Sequence, residues 1–367
     1  GIAFSDDKPH KMSSTKPLAY FLLACSLLAW AMASPLGFSW TQRLSSHEGF
    51  YQVTVNDTVS GTAPGAMNDA ASAPRPRQTV VVVMDGLGYR EAGGMRSMQR
   101  LGELGQCRKT FVGGLSMSRP VYAVLSTGLE QDRTGARNND DESPLAAQSV
   151  WEIAQRAGLQ VSAVSELTWW RELFPRGFSV YLTPPRSANY FELSPPADLR
   201  LIHPVYIDES GHDFGARSNE YRALVQRADA NLETFLQTLD LTRDLIVVTA
   251  DHGHSQRGGH GGTQDRVANV LTCFAGPGVQ RLPSPPPMLA TAIAPALSLF
   301  LRLPFPAQMR AAKKTADARD DDGLDVLWQL ADSAVFGADY LAERKHAVEN
   351  FRAQNAAQLA HWLPESA

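Results

Sequence analysis

The chain has 367 residues, of which 44% are hydrophobic and 20% charged, ample for one large globular domain or two small ones. Basic and acidic residues nearly balance, 34 against 38, giving a formal net charge of −4. That excludes the basic excess with which chains grip nucleic acid, so no nucleic-acid polymer is expected as a partner. The three cysteines, Cys25, Cys107 and Cys273, make no CxxC pair and no disulfide framework, so buried or idle thiols are expected.

The basic tail 1–16 carries Lys8, Lys11 and Lys16, and the segment 17–38, "PLAYFLLACSLLAWAMASPLGF", follows without a charge. An uncharged apolar run of about 20 residues is enough to cross a bilayer, and the preceding positive charge orients the rest of the chain outward. The segment therefore predicts a membrane anchor, with the remainder facing the periplasm or cell exterior. Ala31-Met32-Ala33 also fits a signal-peptidase site, and cleavage there would make the protein secreted. Residues 39–78 contain a short alternating stretch, "FYQVTVNDTV", then a Gly-, Ala-, Ser- and Pro-rich run that reads as a flexible tether.

From Thr79 the pattern changes. "TVVVVMD" predicts a buried strand, and Ser149 to Ser165 a helix ending near Gly158 followed by a strand. Glu220 to Leu239 predicts a long amphipathic helix, and "DLIVVTADHG" and "NVLTCFAGPG" two further buried strands. Such strands alternating with helices predict an α/β fold, a mostly parallel central sheet with helices on both faces. Ligands in such folds sit beyond the carboxyl ends of the strands, where Asp85 and Asp251-His252 fall. The catalytic domain is assigned to 79–310. After the polar break "ARDDDG", the remainder of 311–367 predicts a helical appendage.

Three aspartates and three histidines gather near these strand ends and in two glycine-marked stretches. "DESGHDFG" supplies Asp208 and His212, four residues apart, and "ADHGHSQRGGHGG" supplies Asp251, His252 and His260. With Asp85 they make six ligands of the carboxylate and imidazole type. That chemistry suits zinc first, with manganese or iron as the other candidates, whereas calcium and magnesium prefer oxygen alone. Six ligands exceed one tetrahedral ion and match two neighbouring ones. Two-metal chemistry wants a nucleophile, and "GGLSMSRPVYAVLSTGL" offers Ser116, Ser118, Ser126 and Thr127 without choosing among them.

This set resembles the alkaline phosphatase superfamily, in its type I phosphodiesterase and nucleotide pyrophosphatase branch. Asp85-Gly86 matches the strand-ending Asp-Gly of that branch. Ser118, Pro120, Thr127 and Gly128 match the spacing of its nucleophile, and Ser116 and Ser126 do not. Asp208, Gly211, His212, Gly215, Ser218, Glu220 and Tyr221 match its Asp-x-x-Gly-His-x-x-Gly stretch and continuation. Asp251-His252-Gly253 and His260-Gly261 match the remaining ligand pairs, so the resemblance spans roughly 79 to 307.

The resemblance implies that Asp85, Asp251 and His252 hold one divalent ion beside Ser118, and that Asp208, His212 and His260 hold a second. It further implies attack by Ser118 on phosphorus and a phosphoseryl intermediate. The implied substrate is a small-molecule or lipid phosphate ester, a phosphodiester or pyrophosphate before a monoester.

The chain departs from the branch at Val121-Tyr122, where many members carry Asn-His. Arg119 is the candidate phosphate contact in its place. Tyr122 also occupies the position where sulfatases of the superfamily carry Arg. His203-Pro204 predicts a kinked or edge strand before Asp208. Ser118-Arg119-Pro120 resembles ethanolamine-phosphate transferases as well, so transfer of a phospho-group to a lipid or glycan is the second reading. An inactive metal-binding scaffold is the third. "LTWWRELF", Leu167 to Phe174, predicts a packed aromatic helix before a pocket wall.

Overall fold

Eight strands build one sheet in the computed structural model, which describes residues 20, 21, 23–26, 30, 75–140, 142–306 and 324–360. They are β1 (Thr79–Val83), β2 (Gln106–Phe111), β3 (Val161–Ser165), β4 (Val180–Leu182), β5 (Leu199–His203), β6 (Leu245–Thr249), β7 (Asn269–Ala275) and β8 (Met288–Leu289). Their spatial order is β4-β3-β5-β1-β6-β7-β2-β8. The first five run parallel, while β7 is antiparallel to both of its neighbours, β6 and β2.

Every residue of β1, β3, β5 and β6 is buried. Strands buried on both faces need helices on both faces, which is the reason for the Val, Leu and Ile runs of β1 and β6. The helices Val150–Arg156 and Asn219–Leu236 lie close to the spans read from sequence, and Ile293–Phe300 is a third, fully buried one. Ser149 starts the first with a capping box completed by Glu152. C-terminal residues Val326, Leu327, Leu330, Phe336, Tyr340 and Val348 belong to the same hydrophobic core as the strands.

Two sequence expectations are corrected. The strand ahead of Asp208 is neither kinked nor at an edge. It is β5, between β3 and β1, and it ends at His203, so Pro204 lies just past the ladder and removes no bond from it. The carbonyl of Pro204 instead accepts the Asp85 N–H at 3.1 Å.

The thiols of Cys107 and Cys273 are not idle. They face each other across antiparallel β2 and β7, with Cα atoms 4.0 Å apart, and form a disulfide. The bond closes a loop of 166 residues, and a loop that long constrains the unfolded chain strongly. Replacing both by serine is expected to cost about 2–4 kcal/mol of stability, read as a lowered midpoint in guanidinium unfolding. An unchanged midpoint would show that the bond does not restrain the unfolded chain.

The chain divides into the units 1–46 and 47–367. The basic tail 1–16 and the strand and tether of 39–74 lie outside the described residues, as does most of 17–38. No helix among the described residues is long and apolar enough to cross a membrane.

Candidate metal centre and active site

β1 and β6 are neighbours, so their carboxyl ends bring Asp85 and Asp251 together from 166 residues apart. Each carboxylate has one oxygen held and one left over. Asp251 Oδ1 accepts the backbone N–H groups of Gly86 at 3.1 Å and His252 at 2.9 Å. Asp85 Oδ2 accepts the Tyr122 hydroxyl at 2.5 Å and lies 3.1 Å from His203 Nε2. Asp251 Oδ2 and Asp85 Oδ1 are buried with no hydrogen-bond partner.

Two orphaned carboxylate oxygens in a buried site are costly unless a cation meets them. His252 Nε2 lies 3.5 Å from Asp85 Oδ1 and 3.2 Å from Asp251 Oδ2. These three donors fit a divalent ion by charge, by donor type and by mutual reach.

The second group centres on Asp208, carried with His212 on the helix Tyr206–Phe214. A spacing of four places both side chains on one helix face. Four imidazoles converge on the Asp208 carboxylate. His254 Nε2 is 2.8 Å away, His212 Nε2 3.5 Å, His260 Nε2 3.6 Å and His252 Nε2 3.8 Å. His260 Nε2 and His212 Nε2 are 3.0 Å apart. The structure thus brings together all six ligand candidates read from sequence.

Local details explain why. Gly86 has φ of +76°, and a Cβ there would come within 2.6 Å of Asp208 Cα. Glycine is what lets the turn after β1 bring the two carboxylate groups close. Tyr221 braces that turn, donating its hydroxyl to Gly86 O at 2.6 Å. Ser218, which caps the helix Asn219–Leu236, sets the start of that helix by accepting from Tyr221 N.

His260 Nδ1 donates to Ser116 O at 2.6 Å, which turns Nε2 inward. A ligating imidazole characteristically gives its other N–H to such a carbonyl. Ser116 Oγ ties down the same loop through Gly262 O at 2.7 Å and Gly261 N at 2.9 Å. Ser116 therefore supports the loop that carries His260.

Ser118 begins the helix Ser118–Thr127, where the field of a helix N-terminus favours negative charge. Its side chain is almost fully buried, and Oγ lies 3.3 Å from His252 Nε2. Of the four hydroxyls offered by this stretch, Ser118 is thus in contact with a ligand of the Asp85 group.

The site's electrostatics are those of a cation site without its charge. Burial, then the Asp251 and Asp208 carboxylates, push Asp85 well up. Burial, then Asp208, push Asp251 up to about 6. Burial would raise Asp208 too, but the His254 hydrogen bond and the nearby imidazoles outweigh it and hold it low. Burial holds His252 and His260 down at about 4.

A pH dependence follows. Below about 6 Asp251 carries a proton that an ion must displace. Both histidines are neutral there and do not compete until about 4. Divalent-ion affinity is therefore expected to fall as pH drops through 6, with proton release on binding. Titration calorimetry in two buffers of different ionisation heat would read the released proton. Equal heats in both would contradict it.

The comparisons with known proteins agree with this geometry. The family model described as Type I phosphodiesterase / nucleotide pyrophosphatase matches residues 164–289, the stretch that carries Asp208, His212, Asp251, His252 and His260. The fold is similar to that of a variant of alkaline phosphatase PafA, with a TM-score of 0.53 at 12% identity over 64% of this chain and 98% of that one. Model match and fold together support a resemblance to the alkaline phosphatase superfamily, in its type I phosphodiesterase branch.

Among curated proteins the chain is similar to the catalytic subunit of GPI ethanolamine phosphate transferase 3. The mouse protein is 24% identical over 245 residues, 58% of this chain and 22% of the relative. The human protein is 26% identical over 205 residues, 50% of this chain and 18% of the relative. The chain thus spans about a fifth of the length of the curated relatives it matches.

Family model and fold together support a phosphoester-acting enzyme. Three residues in contact with the candidate ligands escaped the sequence reading. His254 contacts Asp208, and Tyr122 and His203 contact Asp85. His254 had a visible signal, a third histidine in the Asp-His-Gly stretch, but its buried Nδ1 has no partner. It lacks the outer bond that a ligating imidazole usually has and fits the role of an orienting donor to Asp208.

Arg119 is buried and pairs with Glu172, and its guanidinium lies 4.7 Å from the centre of the Trp169 ring. Trp170 is fully buried and stacks on Tyr122 at 4.2 Å. The "LTWWRELF" stretch is therefore largely packing, and it holds the side chain of Arg119, next to Ser118.

Proposed function

We propose that the protein is a metal-dependent hydrolase of phosphodiesters or pyrophosphates, working through a covalent adduct on Ser118. The observation that carries this reading is the pair of orphaned, buried carboxylate oxygens, Asp85 Oδ1 and Asp251 Oδ2, with the Ser118 Oγ in contact with the third donor, His252. Asp85, Asp251 and His252 would hold one ion, and Asp208, His212 and His260 the other. Zinc suits this mixture of imidazole and carboxylate, with manganese or iron as substitutes. Two such ions would supply Lewis-acid charge for the transferred phosphoryl group.

The chain's own residues do the rest. Ser118 is held at a helix start, where its oxygen is favoured as an anion. The Oγ–P bond forms as Ser118 loses its proton and the bond to the leaving oxygen breaks, and that oxygen gains a proton. Water then attacks the seryl adduct and frees Ser118. A buried site of fixed donors accelerates both steps chiefly by position and charge. Arg119 is proposed to exchange Glu172 for the substrate phosphate.

A second reading is favoured by the transferase relatives. The same adduct would be passed to a hydroxyl of a lipid or glycan instead of to water. Export is inferred for either reading, because the Cys107–Cys273 disulfide suits an oxidising compartment. The segment 17–38 is proposed as the anchor or signal.

The test is a rate comparison on zinc- or manganese-loaded protein, with bis-aryl and mono-aryl phosphates side by side. Faster turnover of the diester supports the first reading. Faster turnover of the monoester would replace it with a phosphatase. Slow turnover of both, rising with added alcohol, would favour transfer.

A further inference from the structure

Asp85 is buried among the proposed ligands, and a buried hydrogen-bonded chain leads to it from outside the centre. The Leu167 N–H donates to Ser165 Oγ at 3.1 Å. The Ser165 hydroxyl oxygen lies 2.7 Å from His203 Nδ1. His203 Nε2 lies 3.1 Å from Asp85 Oδ2 and 3.0 Å from the Tyr122 hydroxyl oxygen; facing a carboxylate oxygen, it carries the ring proton, and Nδ1 accepts from Ser165. The Tyr122 hydroxyl donates to the same Oδ2. Asp85, Tyr122, Ser165 and His203 are all buried.

Both donors thus reach one carboxylate oxygen, and Ser165 is placed to donate to the Nδ1 that this tautomer leaves as an acceptor. The other oxygen, Oδ1, has no partner and lies on the side of His252. Tyr122 is held by its neighbours: its ring stacks on Trp170 with planes 14° apart, and His203 meets it edge-on at 5.0 Å.

We infer that Tyr122 and His203 are positioning residues that clamp Asp85 Oδ2 and present Oδ1 alone to the ion. The inference rests on the metal-site part of the proposed function and adds two residues to it. It also gives Tyr122 a role at a position where the sequence departs from the branch pattern. A carboxylate free to rotate would offer either oxygen, or both, and would lose part of its affinity in becoming ordered. Outer partners of this kind are worth roughly 10–100-fold in metal affinity.

The experiment compares zinc affinity, by competition with a chromophoric chelator, in two backgrounds of the full chain. His260→Ala leaves the Asp85 group as the intact site, and Asp85→Ala leaves the Asp208 group. Tyr122→Phe keeps the stacked ring and removes one oxygen. It is expected to weaken zinc roughly 10–100-fold in the first background and to leave the second unchanged. His203→Leu should act the same way, whereas His203→Gln, which keeps an N–H near the Nε2 position, should recover much of the loss.

Equal affinity with and without the Tyr122 hydroxyl in the first background would overturn the clamp. So would equal weakening in both backgrounds, the mark of a merely structural role. Wild-type protein that binds zinc but turns over no phosphate ester would overturn the proposed function instead, and the affinity comparison would still decide the clamp.

Discussion

Ser118→Ala is expected to lower phosphodiester turnover by at least about 10⁴-fold, the scale seen when a covalent nucleophile is removed, while metal content stays near that of the wild type. The separation of the two effects comes from the geometry. Ser118 Oγ has one hydrogen-bonding neighbour in the centre, His252 Nε2 at 3.3 Å. The carboxylates it faces are held from other directions, Asp251 by the N–H groups of Gly86 and His252. Removing the hydroxyl therefore takes away the attacking atom and leaves the donors in place. Elemental analysis and a turnover assay on the same sample check both halves. Turnover close to wild type would mean that another group attacks phosphorus.

Asp251→Asn is expected to lose one divalent ion per chain together with most activity, and yet to leave the metal-free protein at least as stable as wild type. Asparagine keeps an oxygen for the two N–H groups that Oδ1 now accepts. Its amide N–H₂ would replace Oδ2 and point a donor toward the unpartnered Asp85 Oδ1. One of two mutually repelling buried carboxylates would disappear. Binding sites that strain the empty fold in this way trade stability for function. Thermal melts of chelated and zinc-loaded samples read the difference: the variant should melt no lower than wild type when chelated, and zinc should raise its melting point less. A variant that melts well below wild type in chelator would show that Asp251 is a structural residue.

How much of this was legible in the sequence depended on distance along the chain. Asp85-Gly86 and Asp251-His252 stood out because each follows an unbroken apolar strand, and such a strand ends where ligands bind. Asp208 and His212 stood out by a spacing of four. Tyr122 and His203 carried no such mark, since their partner Asp85 lies 37 and 118 residues away, respectively. A tyrosine in an apolar helix and a histidine ending an apolar strand look like core. The disulfide was hidden for the same reason. Its cysteines are 166 residues apart, and only the register of β2 on β7 makes them opposite. β2 itself escaped because Gln106, Arg108 and Thr110 occupy its buried positions. Arg108 is reconciled with burial by donating to Gln106 Oε1 at 2.7 Å and Pro286 O at 3.0 Å, which no local pattern announces. Pro204 misled because a proline after a strand reads, in sequence alone, like a proline within it.

The central claim is that Ser118 carries the phospho-group between donor and acceptor. The most direct measurement is acid quenching of zinc-loaded protein during turnover of a diester, followed by mass analysis of the peptide containing Ser118. The account predicts an adduct on Ser118 that keeps the non-leaving ester group, and none in Ser118→Ala. Steady turnover with Ser118 unmodified at every quench time, or an adduct on any other residue, would contradict it.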